Sequence, residues 1–93
     1  MKRYEPIPGR LVRSLAGRDR GGYFMVVATE GEDMVLIADG RVRPLSRPKR
    51  KKRKHLHMTP FVLTEAASRL EKPGGLADGE LRRMIEGLKR ADG

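Results

Sequence analysis

The chain has 93 residues, with 21 Lys and Arg against 12 Asp and Glu, a formal net charge of +9 and no cysteine. That length fits one compact domain with a short appended element and leaves no room for a large active-site cavity, while the lack of cysteine excludes a disulfide framework and a thiolate zinc site. No apolar run approaches the roughly 20 residues that cross a bilayer, and Met1-Lys2-Arg3 leads into Tyr-Glu-Pro rather than the apolar core of a signal peptide, so a soluble cytoplasmic protein is expected.

In chain order, "RLVRSL" (10–15) reads as a strand, followed by a turn-rich connection from Ala16 to Gly22. "YFMVVAT" (23–29) is aromatic and β-branched. Glu30-Gly31-Glu32-Asp33 separates it from "MVLIA" (34–38), so two more strands are expected. Asp39-Gly40 then stands before "RVRPL" (41–45) in the pattern of a two-residue hairpin, which needs φ > 0. The runs at 23–28 and 34–38 are apolar at both parities, which predicts strands covered on both faces, as in a small closed barrel.

Pro44 and Pro48 disfavour a helix through the segment that follows, so its basic side chains are expected on extended chain. In "KHLHM" (54–58) Leu56 and Met58 fall on one side, as anchors of a fifth strand. Beyond Thr59-Pro60 the pattern becomes helical. Thr64 is placed to cap a short helix over Glu65 to Glu71, which Pro73-Gly74-Gly75 stops. A second helix follows, with Asp78 as N-cap and Leu81, Met84, Ile85 and Leu88 forming one apolar stripe. Gly79 and Gly87 each cost this helix about 1 kcal/mol against Ala, so its stability rests on docking that stripe, with the barrel as the natural surface. The fold expected is mainly β: a five-stranded barrel over 9–60, preceded by an N-terminal extension (1–8) and followed by a helical tail (61–93).

The excess charge is local. Residues 1–40 carry six basic and six acidic side chains and residues 58–93 again six of each, whereas 41–57 hold nine basic residues and no acid. Seven of the eight positions from Arg47 to Lys54 are Lys or Arg. Phosphate neutralisation dominates nucleic-acid affinity and carries little sequence information, so such a run suits backbone binding rather than base readout. A solvated tail or an import signal has the same composition. A lipid surface fits poorly, because residues 47–54 offer no apolar side chain to an interface.

Other chemistry is thin. His55 and His57 have no evident third metal ligand, the acids at 30–33 fall in a turn, and "GRDRGG" lacks the ending of a phosphate loop. No enzyme activity, metal, cofactor or small-molecule substrate is expected. Of the four aromatic residues, Tyr23 alone stands at a loop exit where a base could stack.

"GRLVRSLAGRDRGGYFMVV" and "LIADGRVRPLSRPKRKKRKHL" together resemble the bacterial KOW-domain RNA-binding proteins, relatives of the fourteen-e type of large-subunit ribosomal proteins. The resemblance covers about residues 9–60 and leaves the tail helices outside it. It implies an SH3-like barrel, RNA binding and association with the ribosome, with ribosomal RNA as partner and ribosomal proteins as possible neighbours. It also sets the KOW turn within 10–28, with Gly17 as its turn glycine. A glycine at φ > 0 lets backbone N–H groups approach a phosphate, and arginines can fork around phosphate oxygens. The expected RNA contacts are therefore Gly17, Arg18, Arg20 and Tyr23 at the loop; Arg41 and Arg43 beside it; and Arg47, Lys49, Arg50, Lys51, Lys52, Arg53, Lys54 and His55 along the basic arm. KOW modules also dock on proteins, so the alternative is an adaptor within transcription or translation machinery.

Overall fold

The computed structural model describes residues 4–93; Met1, Lys2 and Arg3 of the expected N-terminal extension, and with them the reading of the first residues as no signal peptide, lie outside the described part. Five strands, β1 (Arg10–Ser14), β2 (Tyr23–Glu30), β3 (Met34–Ala38), β4 (Lys49–Lys52) and β5 (Leu56–Val62), precede two helices, α1 (Thr64–Leu70) and α2 (Asp78–Asp92). The strands form one antiparallel sheet in the order β4-β3-β2-β1-β5.

The double apolar parity of the central strands has the consequence expected of it: both faces of the sheet are covered. Val12, Phe24, Val26, Val35, Ile37 and Leu56 make one cluster from strand residues alone, with Met58 against it. Their neighbours along the chain, Leu11, Met25 and Ala38, point the other way and join Ala66, Leu76, Leu81 and Ile85 in a second cluster beneath the helices. Register aligns each face, with Val12 opposite Phe24 and Val26 opposite Ile37 on one, and Met25 opposite both Leu11 and Ala38 on the other. Shifts between Val26 and Ala28, and between Arg10 and Val12, bend the sheet into a barrel-like shape.

The barrel does not close. β4 and β5 are the two ends of the ladder, and a single 3-10 turn, Arg53–His55, joins them. Both strands run in the same sense, so one continues the other around a corner instead of lying beside it. This corrects the closed barrel expected from the sequence.

The meander also needs correction. Residues 41–45 form no strand, and Asp39-Gly40 is no hairpin turn. The Asp39 carboxylate accepts from the Arg41 and Arg43 N–H groups at 2.9 and 2.8 Å, and the Arg43 carbonyl accepts from the Asp39 and Gly40 N–H groups. These bonds satisfy locally the groups a hairpin would have paired. Gly40, at φ +75°, lies so close to the Asp78 backbone that a Cβ would collide with it. The edge of β3 is taken by the basic segment, with Ile37 opposite Lys49 and Val35 opposite Lys51. The run is therefore strand at Lys49–Lys52 and a helical turn at Arg53–His55, not one extended arm.

The fifth strand begins at the expected anchor, Leu56, but extends to Val62 across Pro60. As an edge strand paired with β1 alone, β5 tolerates a residue without an N–H. Both helices form where the periodicity places them, with altered starts. Thr64 opens α1 without a side-chain cap, and the Asp78 carboxylate accepts from the Leu45 N–H at 2.8 Å instead of capping α2. The stripe of α2 docks as expected: Leu81 and Ile85 are buried against Met25 and Leu11, each contributing about 1.5–3 kcal/mol. The tail thus shares a core with the sheet. No helix among the described residues is long and apolar enough to cross a membrane.

Candidate nucleic-acid interface

The loop between β1 and β2 is a tight, self-bonded turn. Ser14 N–H donates to the Gly22 carbonyl at 2.9 Å, Gly21 N–H to the Ser14 carbonyl at 2.8 Å, and Arg20 N–H to the Gly17 carbonyl at 3.2 Å. Gly17 sits at φ +78° and Gly21 at φ +87°, values that side-chain-bearing residues rarely adopt, so the expected role of Gly17 as turn residue agrees with its backbone. Arg18 and Arg20 are exposed on the tip.

Two contacts attach this tip to the basic segment. The Lys51 ammonium donates to the Ala16 carbonyl at 2.6 Å, and Leu15 N–H donates to the His55 carbonyl at 2.8 Å. A Cβ on Gly17 would stand 3.2 Å from Lys51 Nζ, so the small residue also makes room for the lysine. Strand pairing explains the choice of lysine: Lys51 lies opposite buried Val35 and turns inward, with only 8% of its surface exposed. Its ammonium needs an acceptor there, and the loop carbonyl supplies one.

The remaining arm residues divide by partner. Arg50 pairs with Glu30 at 2.6 Å and Arg53 with Glu5 at 2.9 Å, both on the surface. Lys49, Lys52 and Lys54 are exposed and pair with no carboxylate among the described residues. His55 is half-buried within the 3-10 turn and gives its carbonyl to the loop. Arg47 is exposed just before β4.

Two expected contacts have structural partners. Arg43 reaches back to the loop and pairs with Asp19 at 3.1 Å, where the carboxylate side chain is only 8% exposed. That bridge joins the 39–48 connection to the glycine turn. The Tyr23 hydroxyl donates to Asp92 at 2.7 Å, and this bond raises its pKa above the ordinary value. Arg13 and Lys89 lie 5.8 and 5.9 Å from the centre of its ring. Tyr23 therefore fastens the end of α2. Arg41, by contrast, is exposed.

Arg13 was not singled out in the sequence, although its exposed position between buried Val12 and Ser14 follows from strand alternation. The segment before β1 is tied in as well. Arg10 donates to the Glu5 and Thr59 carbonyls at 2.6 and 2.8 Å, with the Tyr4 ring 5.0 Å from its guanidinium carbon. Burial lowers the Arg10 pKa from its ordinary value, and nearby Tyr4 and Glu5 oppose that shift. Compared with models of known protein families and with curated protein sequences, the chain matches none.

Proposed function

We propose that this protein is a cytoplasmic RNA-binding module that grips structured RNA, ribosomal RNA first, through its phosphates. The observation that carries the reading is the joining of the glycine turn to the basic segment by Lys51 and His55, which gathers Arg18, Arg20, Lys49, Lys52 and Lys54 around one loop and one sheet edge. Their chemistry favours backbone contact over base recognition, since the aromatic residue beside the loop is already engaged. Lys51, Arg43 and Tyr23 hold this surface in shape, and no catalytic step belongs to it. The resemblance to KOW-domain proteins supports the choice of the ribosome as the assembly.

The test is sedimentation of cell extract on a gradient with and without RNase, alongside a direct titration with a ribosomal RNA fragment. A ribosome-associated RNA binder moves from the heavy fractions to the light ones after nuclease and binds the fragment. Retention in the heavy fractions after complete RNA digestion, with no binding to the fragment, would identify a protein-docked adaptor and overturn the proposal.

A further inference from the structure

The outer face of α2 looks neutral in the sequence and is not neutral in space. Of its four acids, Asp78 accepts from Leu45 N–H, Glu80 from Arg69 and Ala77 N–H, and Asp92 from the Tyr23 hydroxyl. Glu86 alone faces outward, 3.9 Å from Lys89. The basic residues of the same helix have gone the other way. Arg82 donates to the Gly40 carbonyl at 2.7 Å, and Arg83 and Arg90 are exposed with no carboxylate partner among the described residues.

These arginines lie opposite the apolar stripe, and with Arg41 from the preceding loop they line a groove of about 430 Å³ over Gly79 and Gly87. The glycines leave its floor without side chains. Nothing lies within 4 Å of a Cβ built at Gly87, so no packing constraint explains a glycine in the middle of this helix. Arg41, Arg82 and Glu86 also line an adjoining hollow of about 200 Å³ that continues to Gly22 and Tyr23, at the exit of the glycine turn.

We infer that this trough is a second phosphate track, in which Arg41, Arg83 and Arg90 hold the sugar–phosphate backbone of an RNA strand leaving the glycine loop. The inference rests on the RNA-binding reading and extends it to the tail, which lies outside the resemblance to KOW-domain proteins. A groove with glycines in its lining admits a backbone, and the guanidinium groups that line it supply forked donors to its oxygens. Glu86 is the single carboxylate in the groove lining, and Lys89, 3.9 Å from it, partly offsets its charge.

The experiment uses the full chain and the ribosomal RNA fragment, with binding measured over a salt series. Arg83→Ala with Arg90→Ala removes two cations from exposed positions and is expected to leave the thermal melt unchanged, weaken binding about tenfold, and make the log–log salt slope shallower by about 1.4 to 1.8. A second variant, Gly87→Glu, places a carboxylate on the groove floor and is expected to weaken binding while the equally bulky Gly87→Gln weakens it less. Unchanged affinity and slope in the arginine variant, with binding still lost when Lys49, Lys52 and Lys54 are replaced by Ser, would overturn the groove and leave the loop-and-strand reading standing. Failure of the wild-type chain to bind the fragment would overturn both.

Discussion

β4 with its 3-10 turn and the outer face of α2 make opposite impressions in the sequence and in the fold. The first is the densest charge in the chain, yet Lys51 is turned inward and Arg50 and Arg53 are paired with Glu30 and Glu5. The second belongs to a segment with equal numbers of acids and bases, yet its acids are mostly engaged elsewhere, while Arg83 and Arg90 are exposed and pair with no carboxylate among the described residues. What a ligand meets is the charge left after internal pairing, and the sequence count alone does not report it.

The largest effect expected from this contrast comes from the unpaired lysines. Replacing Lys49, Lys52 and Lys54 together by Ser should weaken RNA binding about a hundredfold at low salt, with the melt within about 0.5 kcal/mol of wild type, because three phosphate contacts go and no internal partner is lost. Replacing Arg50 and Arg53 should weaken it less than tenfold, since part of their charge is already compensated. Equal losses in the two variants, read by fluorescence titration, would mean that the surface ion pairs open freely on binding and that the distinction has no functional weight.

At the glycine turn, backbone shape competes with charge. Gly17→Val forces a β-branched residue to φ +78° and against Lys51 Nζ, so a loss of tenfold or more is expected. Arg18→Ala removes one contact, about 1 kcal/mol or roughly fivefold. The two titrations need accompanying melts, and wild-type binding with an unchanged melt in Gly17→Val would remove the turn from the interface.

Lys51 tests the internal side of the comparison. Lys51→Met keeps the length of the stem and deletes the bond to Ala16, which should lower stability by about 1–2 kcal/mol in urea unfolding. A neutral result would show that the ammonium contributes nothing to holding the loop against β4.

These cases also show where the fold was legible in the residues and where it was not. β3 begins and ends where expected because turn residues bound it on both sides and its apolar run fits the centre of a sheet. The stripe of α2 was readable for the same kind of reason, a local period with one surface available to bury it. The segment after Ala38 depends on partners far along the chain. Gly40 packs on Asp78, Arg43 reaches Asp19, and Leu45 N–H finds the Asp78 carboxylate, so no local pattern distinguishes this loop from a hairpin. The candidate site divides likewise. Gly17, Arg18 and Arg20 are expected at the site from the resemblance to KOW-domain proteins, but only β-pairing with Val35 reveals that Lys51 points inward. Tyr23 as a helix fastener required Asp92, which lies 69 residues away.

The smallest effect concerns the link that orders the tail. Arg69 donates to the Glu80 carboxylate at 2.6 Å, and this bond, with one from Ala77 N–H, holds the Glu80 pKa below its ordinary value of 4.5. A lowered carboxyl pKa contributes stability that is present above that ordinary value and lost as pH falls through the lower folded value. Glu80→Gln should therefore flatten part of the decline in melting temperature on acidification below about pH 4.5, with little change at pH 7 beyond the exposed pair itself. Identical acid profiles for the two proteins would show that the pair does not couple to folding.

The most direct test of phosphate binding by the joined loop and strand is the salt dependence of wild-type affinity for a ribosomal RNA fragment. Arg18, Arg20, Lys49, Lys52 and Lys54 supply about five contacts at roughly 0.7 to 0.9 counterions each, which predicts a log–log slope near −3.5 to −4.5, and a steeper one where the α2 groove adds its own. A slope shallower than about −2 would contradict the account, because a surface engaging so few phosphates would not be the one described.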